Sequence, residues 1–319
     1  MSRQASSSAT GTGSGNLYTH RGRRLTSSTL TDGQFAGIFV LPVAIVLLLL
    51  VAYPLIDTLW ISFRAINPVI QRDRFVGLQE YARALSDPAV LHAIKITLIY
   101  AAIVTAVCTF VSIGSALLLN LEFVGKRILL IIVVLPWAMS TYATGVIWRY
   151  MYSPDFGFVD AVLSRLPWIH DPPVFLTEST ALSAVAIAHS WQLAPIGTYF
   201  ILATLQIIPQ DLYRTARADG LGPVRRFWHV TLPYIRYSIL IMLCIVTVEA
   251  ARVFDIVYFM TGGGPADATS TMSYAIYIQT FVNFNFGYGA AISYLWLAGI
   301  TVITLLYFYL LFGRSRGTA

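Results

Sequence analysis

Three ionisable residues stand three apart near position 250: Glu249, Arg252 and Asp255. In a helix that spacing puts Glu249 beside Arg252 and Arg252 beside Asp255. Such a set can lock helix packing as an ion-pair ladder, line a polar cavity, relay protons, or supply a pair of catalytic carboxyls. His189 stands alone in an apolar stretch, where a histidine either packs or faces a ligand. Other chemistry is missing. No cluster has metal-ligand spacing, and no Gly-x-Ser-x-Gly elbow occurs. Gly125-Lys126 runs into Arg127 without the earlier glycine of a phosphate loop, and Gly262 to Gly264 runs into Pro265. The chain is therefore not expected to hydrolyse ATP itself.

The elements that must hold these groups are membrane helices. Of 319 residues, 57% are hydrophobic and only 11% charged, with a mean hydropathy of +0.69. Soluble domains carry about 25% charged residues, so the composition excludes a soluble enzyme, a nucleic-acid-binding domain and a disordered scaffold. The two cysteines, Cys108 and Cys244, lie in apolar runs and define no disulfide framework.

A membrane-crossing helix needs about 20 mainly apolar residues. Six segments qualify, near 35–61, 91–120, 128–151, 181–204, 238–260 and 288–312. Runs such as Ile45 to Val51 do not alternate, which argues against a barrel and for an all-α membrane protein with six transmembrane helices. The basic residues sort by side. Arg3, Arg21, Arg23, Arg24, Lys126, Arg127, Arg214, Arg217, Arg225, Arg226, Arg236, Arg314 and Arg316 fall on one side. Arg64, Arg72, Arg74, Arg83 and Arg165 fall on the other. That excess predicts cytoplasmic termini. Residues 1–33, rich in Ser, Thr and Gly, read as a disordered cytoplasmic tail and 313–319 as a second tail. Residues 34–90 read as the first helix plus an extracytoplasmic loop, and 91–312 as the core.

The 205–237 connection is long and ordered in its sequence: IIPQDLYRTARADGLGPVRRFWHVTLPYI lies within it. Pro209 suits the first turn of a helix, Asp211 its positive end, and Gly220 a stop. A second amphipathic stretch carries Arg225, Arg226 and His229 and is expected to end at Pro233, where the fifth span begins. By composition alone the loop could be an interfacial helix on anionic lipid. Its spacing says more. Ala216, three residues, Gly220, nine residues, Val230, one residue and Leu232-Pro233 resemble the signature loop of permease subunits in binding-protein-dependent ABC importers. The family pattern begins Glu-Ala where Arg214-Thr215 stand here. Phe75 to Tyr81, Leu135-Pro136-Trp137, Phe254 to Tyr258 with Thr261 to Pro265, and Phe286 to Gly289 are similar to the carbohydrate-type subgroup, the maltose and glycerol-3-phosphate permeases.

The resemblance implies the type I permease fold in a bacterial inner membrane. It implies a second permease, two ATPase subunits carrying ATP and Mg, an extracytoplasmic solute-binding protein, and no cofactor or nucleic acid on this chain. The loop residues Tyr213, Arg214, Thr215, Ala216, Arg217, Asp219 and Gly220 would enter an ATPase cleft, the small Ala216 and Gly220 allowing close approach and the arginines gripping its rim. Carried over on Trp191, Pro195 and the Gly-Gly-Pro landmark, the family's substrate path falls at His189, Leu193, Ile196, Val246, Glu249, Ala250 and Val253. Arg252 and Asp255 would support it. Sugars, which offer hydroxyls and an apolar ring face, suit polar groups beside aromatic ones. A secondary transporter with an intramembrane proton relay is the competing reading, although no internal repeat supports it. A membrane enzyme using Glu249 and Asp255 is a third.

Overall fold

The computed structural model describes residues 32–167 and 173–312; the segments 1–31 and 313–319, on which the expected tails fall, lie outside it. Contacts divide the chain into two compact units at Pro54–Leu55.

The first unit holds α1 (Asp32–Leu47), a π turn (Leu48–Ala52) and the start of α2 (Tyr53–Ser62). The π turn has a local cause. Pro54 has no N–H, and its ring would strike the carbonyl four residues back in a regular helix. One wider turn, closed by the Tyr53 N–H on the Leu48 carbonyl, relieves this.

The second unit continues α2 into a hairpin, β1 (Arg64–Asn67) and β2 (Arg72–Phe75), paired Arg64 with Phe75 and Asn67 with Arg72. Helices α3 (Gln79–Ser86), α4 (Pro88–Leu119), α5 (Lys126–Ala138), α6 (Thr141–Met151) and α7 (Phe158–Leu163) follow. Next come α8 (Ala181–Ile207), α9 (Gln210–Ala218), α10 (Pro223–Arg226), a π turn (Phe227–Thr231) and α11 (Leu232–Ala251). The chain closes with α12 (Asp255–Met260), α13 (Met272–Tyr277), a π turn (Ile278–Val282) and α14 (Phe286–Phe312). The core lies where α4, α8 and α11 pack together, around Tyr100, Val104, Cys108, Val185, Ile201, Met242 and Val246. Alanines of α8 and Gly197 let the helices approach closely, as membrane bundles require. A side chain at Gly197 would collide with Met242 and Ser112.

Four stretches, Val40–Ser62, Pro88–Leu119, Pro223–Ala251 and Phe286–Leu310, are long and apolar enough to cross a membrane, and two bent pairs raise the number to six. The expectation of a helical membrane protein with six spans therefore matches the architecture, the β1–β2 hairpin being an addition to it, with three corrections. The 128–151 segment is not one rod: α5 and α6 meet at 100°. Ser140 starts the new helix by accepting from the Ala143 N–H at 3.2 Å, and the Gln192 side-chain amide donates to the Met139 carbonyl at the bend at 2.8 Å. The fifth span does not begin near 238 or at Pro233. It runs unbroken from Pro223, because the Phe227–Thr231 turn absorbs Pro233 as Leu48–Ala52 absorbs Pro54. It also stops at Ala251 rather than 260. Its freed carbonyls are taken by side chains: Trp296 Nε1 donates to Ala251 at 3.0 Å and Thr271 Oγ1 to Val253 at 3.3 Å.

Candidate functional site

The break after Ala251 builds a cleft. Thr141, His189, Glu249, Arg252, Val253, Phe254 and Asp255 line a volume of about 260 Å³. Three elements supply them: the start of α6, the middle of α8, and the α11–α12 junction. Arg252 Nη2 donates to both Glu249 carboxylate oxygens, at 2.8 and 2.9 Å, and Nε donates at 3.1 Å. The carboxylate side chain keeps 36% of its surface and the guanidinium 64%, so the pair is not sealed into the core. The expected three-residue ladder is corrected. The helix ends at Arg252 (φ −99°, ψ 10°), Phe254 leaves helical geometry, and Asp255 opens α12 instead. Among the described residues Asp255 makes no ion pair. It shares the cleft with Glu249 and Arg252 but not their helix.

His189 is both packed and lining. Its ring stacks on Tyr100 at 6.0 Å between centroids, and Nδ1 shares a 2.8 Å hydrogen bond with the Tyr100 hydroxyl. With Nδ1 so engaged, Nε2 is the ring nitrogen left for other partners.

Of the path residues, His189, Glu249 and Val253 line the cleft together with Arg252 and Asp255. Leu193, Val246 and Ala250 are buried in the core behind it. Ile196 lines a separate apolar groove with Trp137, Pro195 and Tyr199. Thr141 and Phe254 are cleft residues that sequence reasoning missed. Phe254 lies between Arg252 and Asp255 and was legible as a neighbour. Thr141 was hidden by reading 128–151 as straight, although Ser140-Thr141 after Pro136 is a helix-start signal inside an apolar run. Among the described residues no group of three or more His, Cys, Asp or Glu could hold a metal ion.

At the other end of the 29-residue Pro223–Ala251 helix, α9 forms a short amphipathic helix. It ends in a Schellman closure: Leu221 N–H bonds the Ala216 carbonyl and Gly220 N–H the Arg217 carbonyl, each at 3.0 Å, with Gly220 at φ +76°. Asp211 in the first turn and Arg217 in the last suit the helix dipole. Arg214 pairs with Asp211 at 3.1 Å on the exposed face. Arg214, Thr215, Arg217, Asp219 and Gly220 are exposed, while Ala216 is 5% exposed. The small side chain at 216 thus serves packing inside this chain, whereas Ala218 and Gly220 are exposed. Tyr213 turns inward, its hydroxyl 3.0 Å from Thr231 Oγ1 in the π turn at the root of α11.

A helical bundle with a short amphipathic helix between the fourth and fifth spans is the type I fold of ABC importer permeases. The chain superposes with a TM-score of 0.76 on a chain of a bacterial ABC transporter involved in the import of the acidic polysaccharide alginate. That match covers 89% of this chain and 96% of that one at 21% identity. Residues 38–315 match the family of binding-protein-dependent transport system inner membrane components, and the chain belongs to that family. It is 34% identical over 293 residues to the trehalose/maltose transport system permease protein MalF of Thermococcus litoralis, covering 89% of this chain and 95% of the relative. It is 31% identical over 284 residues to the sulfoquinovosyl glycerol transport system permease protein SmoG of Agrobacterium fabrum, covering 87% and 90%. The chain is a non-catalytic transport subunit.

Proposed function

We propose that this chain carries a sugar or sugar derivative across the membrane as one of two permease subunits. In this reading an extracytoplasmic solute-binding protein delivers the solute, and two ATPase subunits holding ATP and Mg drive the cycle from the cytoplasm. Both termini and the 205–237 loop would then be cytoplasmic. The supporting observation is the cleft. A carboxylate, a guanidinium, an imidazole and a threonine beside Phe254 offer donors and acceptors for hydroxyls and a face for a sugar ring. Its volume of about 260 Å³ falls below the roughly 300–1,000 Å³ of a complete small-molecule site, which suits half a site completed by the second permease. His189, Glu249 and Val253, with Arg252 and Asp255, would touch the solute in transit. Leu193, Val246 and Ala250 would shape the wall behind them, and Ile196 would face elsewhere. Tyr213, Arg214, Thr215, Ala216, Arg217, Asp219 and Gly220 would transmit ATPase closure.

The test is uptake by the full assembly reconstituted in vesicles, using labelled trehalose and maltose. Uptake that requires both ATP and the binding protein is expected. Uptake driven by a proton gradient without ATP would overturn the reading in favour of a secondary transporter.

A further inference from the structure

Phe254 belongs to the cleft and also begins a run of aromatic rings that leads away from it. Its ring lies 5.4 Å from Tyr258 at an interplanar angle of 30°, and 5.1 Å from Tyr277. Tyr258 meets Tyr277 at 5.4 Å, and Tyr277 meets Phe281 at 5.8 Å and 35°. Phe254 and Tyr277 are half-buried, whereas Tyr258 is 37% exposed and Phe281, at the far end of the run, 61%. Rings that served only this chain's interior would be covered; Tyr258 and Phe281 are left uncovered by the rest of the chain.

The surrounding backbone supports that arrangement. Tyr277 and Phe281 are four residues apart across the Ile278–Val282 π turn, a geometry that recurs at functional sites. Tyr274, one turn before Phe281's π turn and 6.5 Å from Tyr258, packs on Gly263 at φ +81°, where any Cβ would strike its ring. The turn beneath it is stiffened by Thr269 Oγ1, which meets Thr261 Oγ1 at 2.7 Å and donates to the Gly264 carbonyl at 2.9 Å. Burial, with Tyr258 and Asp267 nearby, raises the Tyr274 hydroxyl above the usual tyrosine value, so it stays neutral.

We infer that Phe254, Tyr258, Tyr277 and Phe281 form a transit site for pyranose rings, along which the solute passes between the open end of the run and the cleft. A pyranose has an apolar C–H face bordered by hydroxyls. A row of phenyl and phenol rings can hold that face while the solute moves from one ring to the next, because no ring binds it in a unique hydrogen-bonded pose. The inference rests on the sugar reading above.

The experiment uses the full reconstituted assembly and measures two quantities: labelled maltose or trehalose taken up per ATP hydrolysed, and ATPase stimulation by sugar-loaded binding protein. In Tyr258→Ala and Phe281→Leu, sugar per ATP should fall about two- to tenfold, with stimulation unchanged. Phe281→Tyr, which keeps a ring at this exposed position, should behave as the parent chain. Unchanged sugar per ATP in both variants would overturn the transit site. So would lost stimulation at an unchanged ratio, because the rings would then be a docking surface for the binding protein. A parent assembly that carries no sugar would instead refute the sugar reading itself, so the two failures are distinct.

Discussion

At the scale of single residues, charge inside an apolar chain was the clearest signal in the sequence, and its geometry was the least legible part. Glu249 and Arg252 form a three-contact pair, as helical spacing demands. Asp255 leaves the set because three residues of broken helix intervene, and nothing in the Arg252-Val253-Phe254 triplet forbids a helix. What stops it lies elsewhere in the chain: Trp296 on α14 and Thr271 before α13 supply the donors that make the break tolerable. Contacts that distant cannot be read from local periodicity. The pair is half exposed, so its worth to folding is within the 0 to about 1 kcal/mol of exposed ion pairs. Glu249→Gln is therefore expected to leave the thermal midpoint of the purified protein nearly unchanged while lowering sugar uptake severalfold. A large loss of thermal stability with normal uptake per folded molecule would assign the pair to packing instead.

At the scale of elements, prolines did more than mark span ends. Pro54 and Pro233 each follow a π turn by two residues, and both helices continue through them. The 3.6-residue period predicts that a proline ends or kinks a helix; it does not show that one extra residue per turn can absorb the clash. By contrast, the stop of α9 at Gly220 was legible, since the residue type and the motif spacing coincide with a left-handed backbone position. An added Cβ at Gly220 would meet nothing within 4 Å, so substitution there is resisted by the backbone and not by crowding. The left-handed conformation costs a non-glycine residue roughly 1–2 kcal/mol, and Asn tolerates it better than most. Gly220→Asn should therefore retain most sugar uptake per ATP, whereas Gly220→Val should lose it with the assembly intact. Equal behaviour of the two variants, measured by parallel uptake and ATPase assays, would count against a role for the closure.

At the scale of the whole molecule, the composition showed a membrane bundle and the loop motif showed which kind. The hydrogen bond that ties the short amphipathic helix to the cleft-bearing helix appears only in three dimensions. Tyr213 on α9 reaches Thr231, and Thr231 sits at the root of the helix whose far end holds Glu249. Tyr213→Phe removes that hydroxyl contact and little else, a change of about 1 kcal/mol in hydrogen bonding. It is expected to leave ATPase activity in place and reduce sugar moved per ATP; an unchanged ratio would show that the contact transmits nothing. The unbroken passage of α11 from its π turn has a mechanical consequence. From Thr231 to Glu249 the helix rises about 27 Å at 1.5 Å per residue, so on the proposed coupling it would act as a crank arm. A swing of only about 10° at its root would carry the Glu249 carboxylate about 5 Å sideways, enough to exchange one set of hydrogen-bonding partners for another.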